Sequence, residues 1–206
     1  MHNLPMQENL PGLRERQRRR TTKELHDAAV QLVSEQGLAA VTAEAIADRA
    51  GVSRRTFFNY FASKEDAVLG ARPPSMSEAE LARFLDEDSA DPFTRTVRLI
   101  VSIIRSSFEA GSTFDERRIL VHRFPELRQR LSQHVSTAEQ LVESVLKEKL
   151  SSSGETAGES SRALLMLAGT VLRYVYTHDP GAVETDPTAA IESAIATFKK
   201  VLEDIS

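Results

Sequence analysis

The sequence contains no cysteine, and it has only 9 glycines and 8 prolines among its 206 residues. Without cysteine the chain can form no disulfide, no cysteine-ligated zinc site and no thiol nucleophile. The few glycines and prolines lie at the boundaries of apolar patterns, which favours an all-helical protein. A hydrophobic content of 41% and a charged content of 27% are typical of a soluble globular protein.

Features of membrane proteins and of common enzymes are also missing. The longest near-continuous apolar run, residues 163–172, is shorter than the ~20 residues of a membrane-spanning helix. The N-terminus has no apolar signal core, so we expect a cytoplasmic protein without a membrane partner. No H-E-x-x-H, G-x-G-x-x-G or P-loop pattern occurs, and the five histidines are scattered. We therefore expect no enzyme activity, no catalytic residue, no metal site and no cofactor.

Charge is distributed unevenly along a chain whose net charge is −4. Residues 1–64 contain 10 Lys and Arg against 7 Asp and Glu, whereas the remainder contains 16 against 23. This asymmetry is expected of a DNA-binding head on an acidic body. Residues 14–20 contain five arginines, which predicts a basic arm along phosphates or in the minor groove. The alternative for this segment is a solvated helix start.

Residues 41–64 predict two short helices joined by a tight turn. Thr42 is suited to cap a helix over residues 43–50, and Gly51 is suited to end it, because glycine adopts a left-handed backbone at little cost. Ser53 then caps the second helix. The geometry is that of a helix-turn-helix, in which the second helix lies in the major groove. An ordinary helical hairpin with a solvated arginine pair is the alternative.

The second of these helices directs its polar side chains outward. Phe57 and Phe61 face inward at a spacing of four residues, which leaves Arg54 and Asn59 on or near the outer surface. Arginine can form two hydrogen bonds with guanine, asparagine can do so with adenine, and other polar groups suit phosphates. The full set of predicted DNA-binding residues is Arg19, Arg20, Thr42, Ala43, Arg54, Arg55, Thr56, Asn59, Tyr60 and Lys64.

The pattern T-x-x-x-I-A-x-x-A-G-V-S-x-x-T-F-F-x-Y-F-x-S-K-E-x-A begins at Thr42 and resembles the N-terminal domain of the tetracycline-repressor (TetR) family. The similarity extends over roughly residues 18–69. It implies an all-helical homodimer with a three-helix DNA-binding head and a divergent ligand-binding body, which represses transcription until a small molecule releases it. Family members often carry tyrosine where this chain has Phe58, so no DNA contact is predicted for Phe58.

Three segments are expected within this all-α fold. Residues 1–13 are predicted to be a disordered tail, residues 14–70 a helix-turn-helix domain, and residues 77–206 a helical ligand-binding and dimerisation domain. The pair Pro73–Pro74 ends the fourth helix early, whereas many relatives have a longer helix here that links head to body. Helix starts in the body are predicted at Ser77, Asp91, Thr113, Pro125, Ser160 and Asp186.

The last two helices, predicted over residues 160–178 and 187–205, are the candidate dimer interface. The first is apolar nearly all round over residues 163–172, so it needs cover on more than one side, and the second carries one apolar stripe. Burial in the core alone is the alternative. The family resemblance implies that these helices pair with their copies as a four-helix bundle, which suits a palindromic operator of double-stranded DNA.

A ligand pocket in the body is expected to be mostly apolar with a few polar anchors. Its predicted lining is Phe93, Arg105, Phe108, Phe124, Met166 and Tyr174, although each also fits a core or solvent position. Residues 125–128 resemble a P-x-L-R stretch of a TetR subgroup with an acyl-CoA-like ligand-binding domain. The effector is therefore predicted to be acyl-CoA or another small lipophilic or acidic compound. A DNA-binding dimer that is controlled by a protein partner, or that has no effector, is the alternative function.

Overall fold

The computed structural model describes residues 12–86, 90–108, 114–150, 157–178 and 187–204. Within these ranges the chain forms ten α-helices and no strand, which confirms the all-α prediction. It separates into two compact units, which we call the head, up to Ala71, and the body, from Arg72 onward. The predicted disordered tail lies outside the described residues up to residue 11, and residue 13 already begins the first helix.

The head is a small bundle whose four helices were all predicted from caps and apolar spacing. They are α1 (Leu13–Gln36), α2 (Ala43–Arg49), α3 (Arg54–Tyr60) and α4 (Lys64–Leu69). Helix α1 packs against α2 and α4, and α2 packs against α3. Side chains from three of the helices, Leu25, Val33, Ile46 and Phe57, meet in a core that excludes solvent completely. This core fixes the direction in which α3 presents its other face.

The turn between α2 and α3 depends on Gly51, whose φ angle is 69°. The amide of Val52 donates to the carbonyl of Ala47 at 2.9 Å, and the amide of Gly51 donates to that of Asp48 at 3.1 Å. These two bonds form a Schellman motif, which satisfies carbonyls that the end of a helix leaves free. A side chain at residue 51 would be strained in this left-handed conformation, so glycine sets the angle between the helices.

Residues 14–20 form the first two turns of α1, which is the helix-start alternative rather than an extended arm. Ion pairs at a spacing of four residues support the helix here: Arg19 contacts Glu15 at 3.0 Å, and Arg20 contacts Glu24 at 2.8 Å. Such exposed pairs support a helix only weakly, because water screens them. The arginines are therefore presented from a helix surface, and their contact with phosphates or the minor groove stays a prediction.

The described residues of the body form six helices around one apolar core. They are α5 (Glu78–Leu85), α6 (Pro92–Ser107), α7 (Phe114–Arg123), α8 (Pro125–Leu150), α9 (Ala157–His178) and α10 (Pro187–Asp204). Helix α6 packs against α5, α8 and α9, and α9 also packs against α8 and α10. The predicted break at Pro73–Pro74 is present, because residues 70–77 are not helical. The predicted caps Thr113 and Asp186 and the predicted helix end at residue 205 lie outside the described residues. Helix α9 begins at Ala157, three residues before the predicted start at Ser160.

Helix α6 ends at Ser107, and Phe108, which follows it, has an extended backbone. The hydroxyls of Ser106 and Ser107 both donate to the carbonyl of Ile103, at 3.0 and 2.7 Å. Serine side chains that bond to nearby backbone carbonyls in this way slightly weaken a helix.

Two predicted caps in the body also connect helices to each other. Ser77 and Glu80 form a complete capping box at the start of α5, and Glu80 additionally accepts a hydrogen bond of 2.5 Å from Ser102 of α6. Asp91 caps α6 by accepting from the Thr94 amide at 3.1 Å, and it also accepts from Lys199 of α10. Glu80 therefore ties the start of α5 to α6, and Asp91 ties the start of α6 to α10.

No helix in the described part of the chain combines the length and the apolar character that crossing a membrane requires. The same residues contain no group of three or more His, Asp or Glu side chains arranged to hold a metal ion.

Candidate nucleic-acid interface

Helix α3 has one buried face and one polar face. Phe57 is fully buried, and Phe61, which follows the helix, is 1% exposed. Arg54, Arg55 and Asn59 of the same helix are exposed. The buried aromatics hold the helix to the head, so these three polar side chains project from a rigid support. Their functional groups are those that can recognise guanine and adenine in a major groove.

Arg54 is held by two neighbours. Its Nε atom forms an ion pair of 2.5 Å with Glu44 of α2, and its guanidinium carbon lies 5.1 Å from the centre of the Phe58 ring. The Arg54 and Glu44 side chains are 65% and 55% exposed, so water screens their attraction strongly. The pair thus orients Arg54 more than it stabilises the fold.

The caps of α2 and α3 place further hydroxyl groups on the same part of the head. The Thr42 hydroxyl accepts from the Ala45 amide at 3.1 Å, and the Ser53 hydroxyl accepts from the Thr56 amide at 3.0 Å. The Thr56 hydroxyl also lies 2.8 Å from that of Ser53. Each hydroxyl that accepts a bond in a cap keeps one proton to donate. Thr42 is exposed, and its proton is suited to a phosphate oxygen.

Lys64 has structural partners that the sequence did not suggest. Its ammonium donates to the carbonyls of Leu38 at 2.8 Å and of Val41 at 2.9 Å. Both carbonyls belong to the connection between α1 and α2, so Lys64 ties this connection to the start of α4. An ammonium has three protons, which leaves one for the predicted phosphate contact.

The other predicted DNA-binding residues lie on three helices of the head. Arg19 and Arg20 are 67% and 73% exposed on α1. Ala43 is the first residue of α2 and is half-buried, as is Tyr60 at the end of α3. Buried His26 fixes α1 to α4, because its Nδ1 atom donates to the Ala67 carbonyl at 2.7 Å. The DNA-facing candidates therefore rest on a head whose helices are bonded together.

The structure places the predicted ligand-binding residues of the body in different environments. Phe93 is buried in the core, whereas Met166 is 69% exposed and Tyr174 is 37% exposed, with its ring against Phe198 of α10. Phe108 and Phe124 are half-buried, each beside an arginine from α7. The sequence could not distinguish these environments because all five side chains have similar apolar character.

Arg105 is the predicted ligand residue that lines an open groove on the body. Arg83, Arg98 and Ser102 line the same groove, together with Thr188 and Glu192 of α10. Arg98 donates two hydrogen bonds to Glu192, at 2.7 and 2.9 Å, and these bonds hold the pKa of Glu192 below its ordinary value. Arg105 contacts the Thr188 hydroxyl at 3.3 Å. The apolar side chains of Val101 and Ile191 also line this groove, so it combines basic and apolar character.

The fold of the head and the polar outer face of α3 define a helix-turn-helix domain of the DNA-binding class. Residues 25–69 match the family described as bacterial regulatory proteins, tetR family. The domain in these residues is therefore similar to the DNA-binding domain of TetR-family transcriptional regulators.

Two curated proteins are similar to parts of the chain. The HTH-type transcriptional regulator TcmR of Streptomyces glaucescens is 48% identical over 61 residues, which are 30% of this chain and 27% of that protein. The putative mycofactocin biosynthesis transcriptional regulator MftR of Mycobacterium tuberculosis is 33% identical over 108 residues, which are 52% of this chain and 50% of that protein. The matches thus cover half or less of each relative.

Among solved structures, the chain is similar to NalD, the secondary repressor of the MexAB-OprM multidrug efflux pump in Pseudomonas aeruginosa. The alignment covers 87% of this chain and 96% of the NalD chain. The sequence identity is 21% and the TM-score is 0.44.

Proposed function

We propose that the protein is a sequence-specific transcriptional repressor that binds operator DNA through the outer face of α3. The observation that carries this proposal is the exposed set Arg54, Arg55 and Asn59 on a helix whose Phe57 is fully buried. In this arrangement the base-reading groups lie on a helix that the core holds in place. Thr42, Lys64 and the arginines of α1 would contact phosphates, which set register but not sequence preference.

The second part of the proposal is that two copies associate through α9 and α10. Both helices leave large apolar side chains in solvent: Met166 is 69% exposed, Tyr174 37% and Val201 53%. A second copy of the chain would cover this apolar surface on both protomers at once, as a two-fold interface does. Such a dimer would bind a palindromic operator whose half-sites are separated by about 34 Å or a multiple of it.

The effector is proposed to be a small acidic molecule. Arg83, Arg98 and Arg105 line one groove of the body, and Ser102 and Thr188 add hydroxyl groups there. A carboxylate or phosphate could replace Glu192 as the partner of Arg98, since arginine binds both groups in the same two-bonded geometry. The phosphates of an acyl-CoA meet this requirement, and so do those of other anionic metabolites.

A regulator without a small-molecule effector is the second candidate. The dispersal of Phe93, Met166 and Tyr174 favours it, because these side chains serve the core and an exposed face rather than one apolar pocket. In this case a protein partner, or DNA binding alone, would account for its activity.

Binding of the purified protein to the DNA upstream of its own gene tests the proposal. The assay is run at ~150 mM salt, because DNA affinity depends steeply on ionic strength. The comparison DNA has the same length and a scrambled sequence, and acyl-CoAs and simple organic acids are added in turn. Specific binding that an acidic compound abolishes is the expected result. Specific binding that no compound changes would favour the second candidate, and equal binding to both DNAs would contradict sequence-specific function at this site.

The groove is tested with Arg105→Ala, with Arg130→Ala as the matched control, because Arg130 lies on α8 and does not line this groove. Release by the effector is expected to need a higher concentration in Arg105→Ala only. Equal responses in both variants would exclude this groove as the effector site.

A further inference from the structure

We propose that Glu44, Arg54 and Phe58 form one reading unit that recognises a guanine and a neighbouring thymine, with Phe58 contacting the thymine methyl group. The inference rests on the proposed function, because it assumes that α3 enters the major groove. It assigns a specificity role to Phe58 and Glu44, two residues that were not expected to take part in DNA recognition.

The first step concerns the donors that Arg54 keeps available. Glu44 contacts its Nε atom, and the Phe58 ring lies beside the guanidinium group. The two terminal nitrogens of the guanidinium are the ones that bind guanine O6 and N7 together. Glu44 thus occupies the Nε donor, which the contact of the two terminal nitrogens with guanine does not use. An arginine already held in position loses less conformational entropy when it binds, so the pair prepares Arg54 for recognition.

The second step concerns the exposure of Phe58. Its side chain is 45% exposed, although neighbouring Phe57 is fully buried. The two rings meet edge to face, with centres 5.2 Å apart and planes at 86°, so the buried ring supports the exposed one. Phenylalanine has no hydroxyl for a phosphate. The partner in the major groove that suits an exposed apolar ring is the C5-methyl group of thymine.

The third step concerns distance. The guanidinium carbon of Arg54 lies 5.1 Å from the centre of the Phe58 ring. Successive bases on one strand are about 3.4 Å apart along the helix axis. Two groups this close together contact the same base pair or adjacent pairs, and a guanine and a thymine methyl cannot belong to one pair. The reading unit therefore recognises adjacent base pairs.

The test uses an operator on which the wild-type protein shows specific binding. Each thymine is replaced in turn by deoxyuridine, which removes only the methyl group. At one position per half-site we expect the wild-type affinity to fall about fourfold, which corresponds to burial of one methyl-sized group. Phe58→Ala should bind the unmodified operator more weakly and lose this sensitivity. Asn59→Ala, which changes another exposed residue of α3, should keep it.

A second modification of the operator tests whether Arg54 contacts the guanine. Replacing the adjacent guanine by 7-deazaguanine, which lacks N7, should weaken the wild-type protein and leave Arg54→Ala unaffected. Glu44→Gln should reduce the guanine effect but not the methyl effect.

Two results would overturn the inference and leave the proposed function intact. One is specific binding that no deoxyuridine substitution changes, and the other is sensitivity to the thymine methyl group that persists in Phe58→Ala. Absence of sequence preference in the wild-type protein would instead contradict the proposed function, and the inference with it. Circular dichroism of each variant verifies that the helices are retained.

Discussion

The head and the body are both helical, but their sequences determine them in different ways. In the head, individual residues determine where the short helices begin and how they are joined. Thr42, Ser53 and Ser63 cap helices, and Gly51 adopts the left-handed conformation that the turn requires. In the body, long helices pack over a broad apolar core, and the environment of each apolar side chain depends on distant neighbours. Local chemistry therefore predicts the candidate DNA surface, whereas packing decides where a ligand could bind.

The strongest test of this comparison uses two adjacent phenylalanines. Phe57→Ala should destabilise the head by about 3–5 kcal/mol, because it removes a fully buried ring. Phe58→Ala should cost much less, because its ring is 45% exposed. Hydrogen exchange of the α1 and α3 amides measures both effects. Similar losses in the two variants would show that α3 is not oriented as described.

The next largest effect is expected at Lys64. Lys64→Met keeps an apolar chain but removes two charge-assisted bonds to the Leu38 and Val41 carbonyls, so the head should lose about 1.5–3 kcal/mol. Lys23→Met is the control, because Lys23 contacts only Asp27 in an exposed pair and should change stability by less than about 0.5 kcal/mol. Hydrogen exchange again distinguishes them. An unchanged head in Lys64→Met would assign this lysine to DNA contact alone.

In the body, a smaller effect is expected at Asp91. Asp91→Ala should cost about 0.5–2 kcal/mol through loss of the α6 cap, whereas Asp91→Asn keeps a capping group. Thermal unfolding of the two variants measures the difference. Equal destabilisation by alanine and asparagine would show that the charge of Asp91, rather than the cap, holds α6.

Asp91 also predicts a dependence on pH. Burial opposes its ionisation, but hydrogen bonds from Lys199 and Thr94 outweigh this and hold the pKa of Asp91 well below its ordinary value of 3.8. A carboxylate with a lowered folded-state pKa stabilises the protein above pH 3.8 and loses this contribution as the pH falls further. The stability difference between wild type and Asp91→Asn should therefore shrink below about pH 4. A difference that stays constant with pH would exclude the charged contact with Lys199.

The smallest effect on stability is expected on the outer face of α1. Arg19→Ala breaks only an exposed pair with Glu15, so stability should change by less than about 0.5 kcal/mol. DNA binding should nevertheless weaken equally for all sequences, and the salt dependence should decrease by about one unit of slope. Titrations at several salt concentrations measure this, with Lys200→Ala in the body as control. An unchanged slope would remove Arg19 from the DNA interface.

Much of the fold and part of the site could be predicted from the sequence. The helices of the head follow from the caps and from the spacing of Phe57 and Phe61, and the capping box of Ser77 and Glu80 correctly predicted the start of α5. Short-range hydrogen bonds govern these features, so a few consecutive residues contain the information.

The remaining features depend on contacts between distant residues. Lys64 meets carbonyls 23 and 26 residues away, and Arg98 meets Glu192 across 94 residues. Arg54 and Glu44 are ten positions apart and meet only because the turn brings α2 and α3 together. Phe58 was left without a role because sequence comparison registers its missing hydroxyl but not the arginine beside its ring.

The most direct test of the central claim compares specific with non-specific DNA affinity in three variants at one fixed salt concentration. Arg54→Ala and Asn59→Ala should lower specific affinity by about 1–3 kcal/mol more than non-specific affinity, because each removes a group proposed to contact a base. Arg19→Ala should lower both equally. If all three variants reduced specific and non-specific affinity by the same factor, α3 would not be the helix that reads the operator.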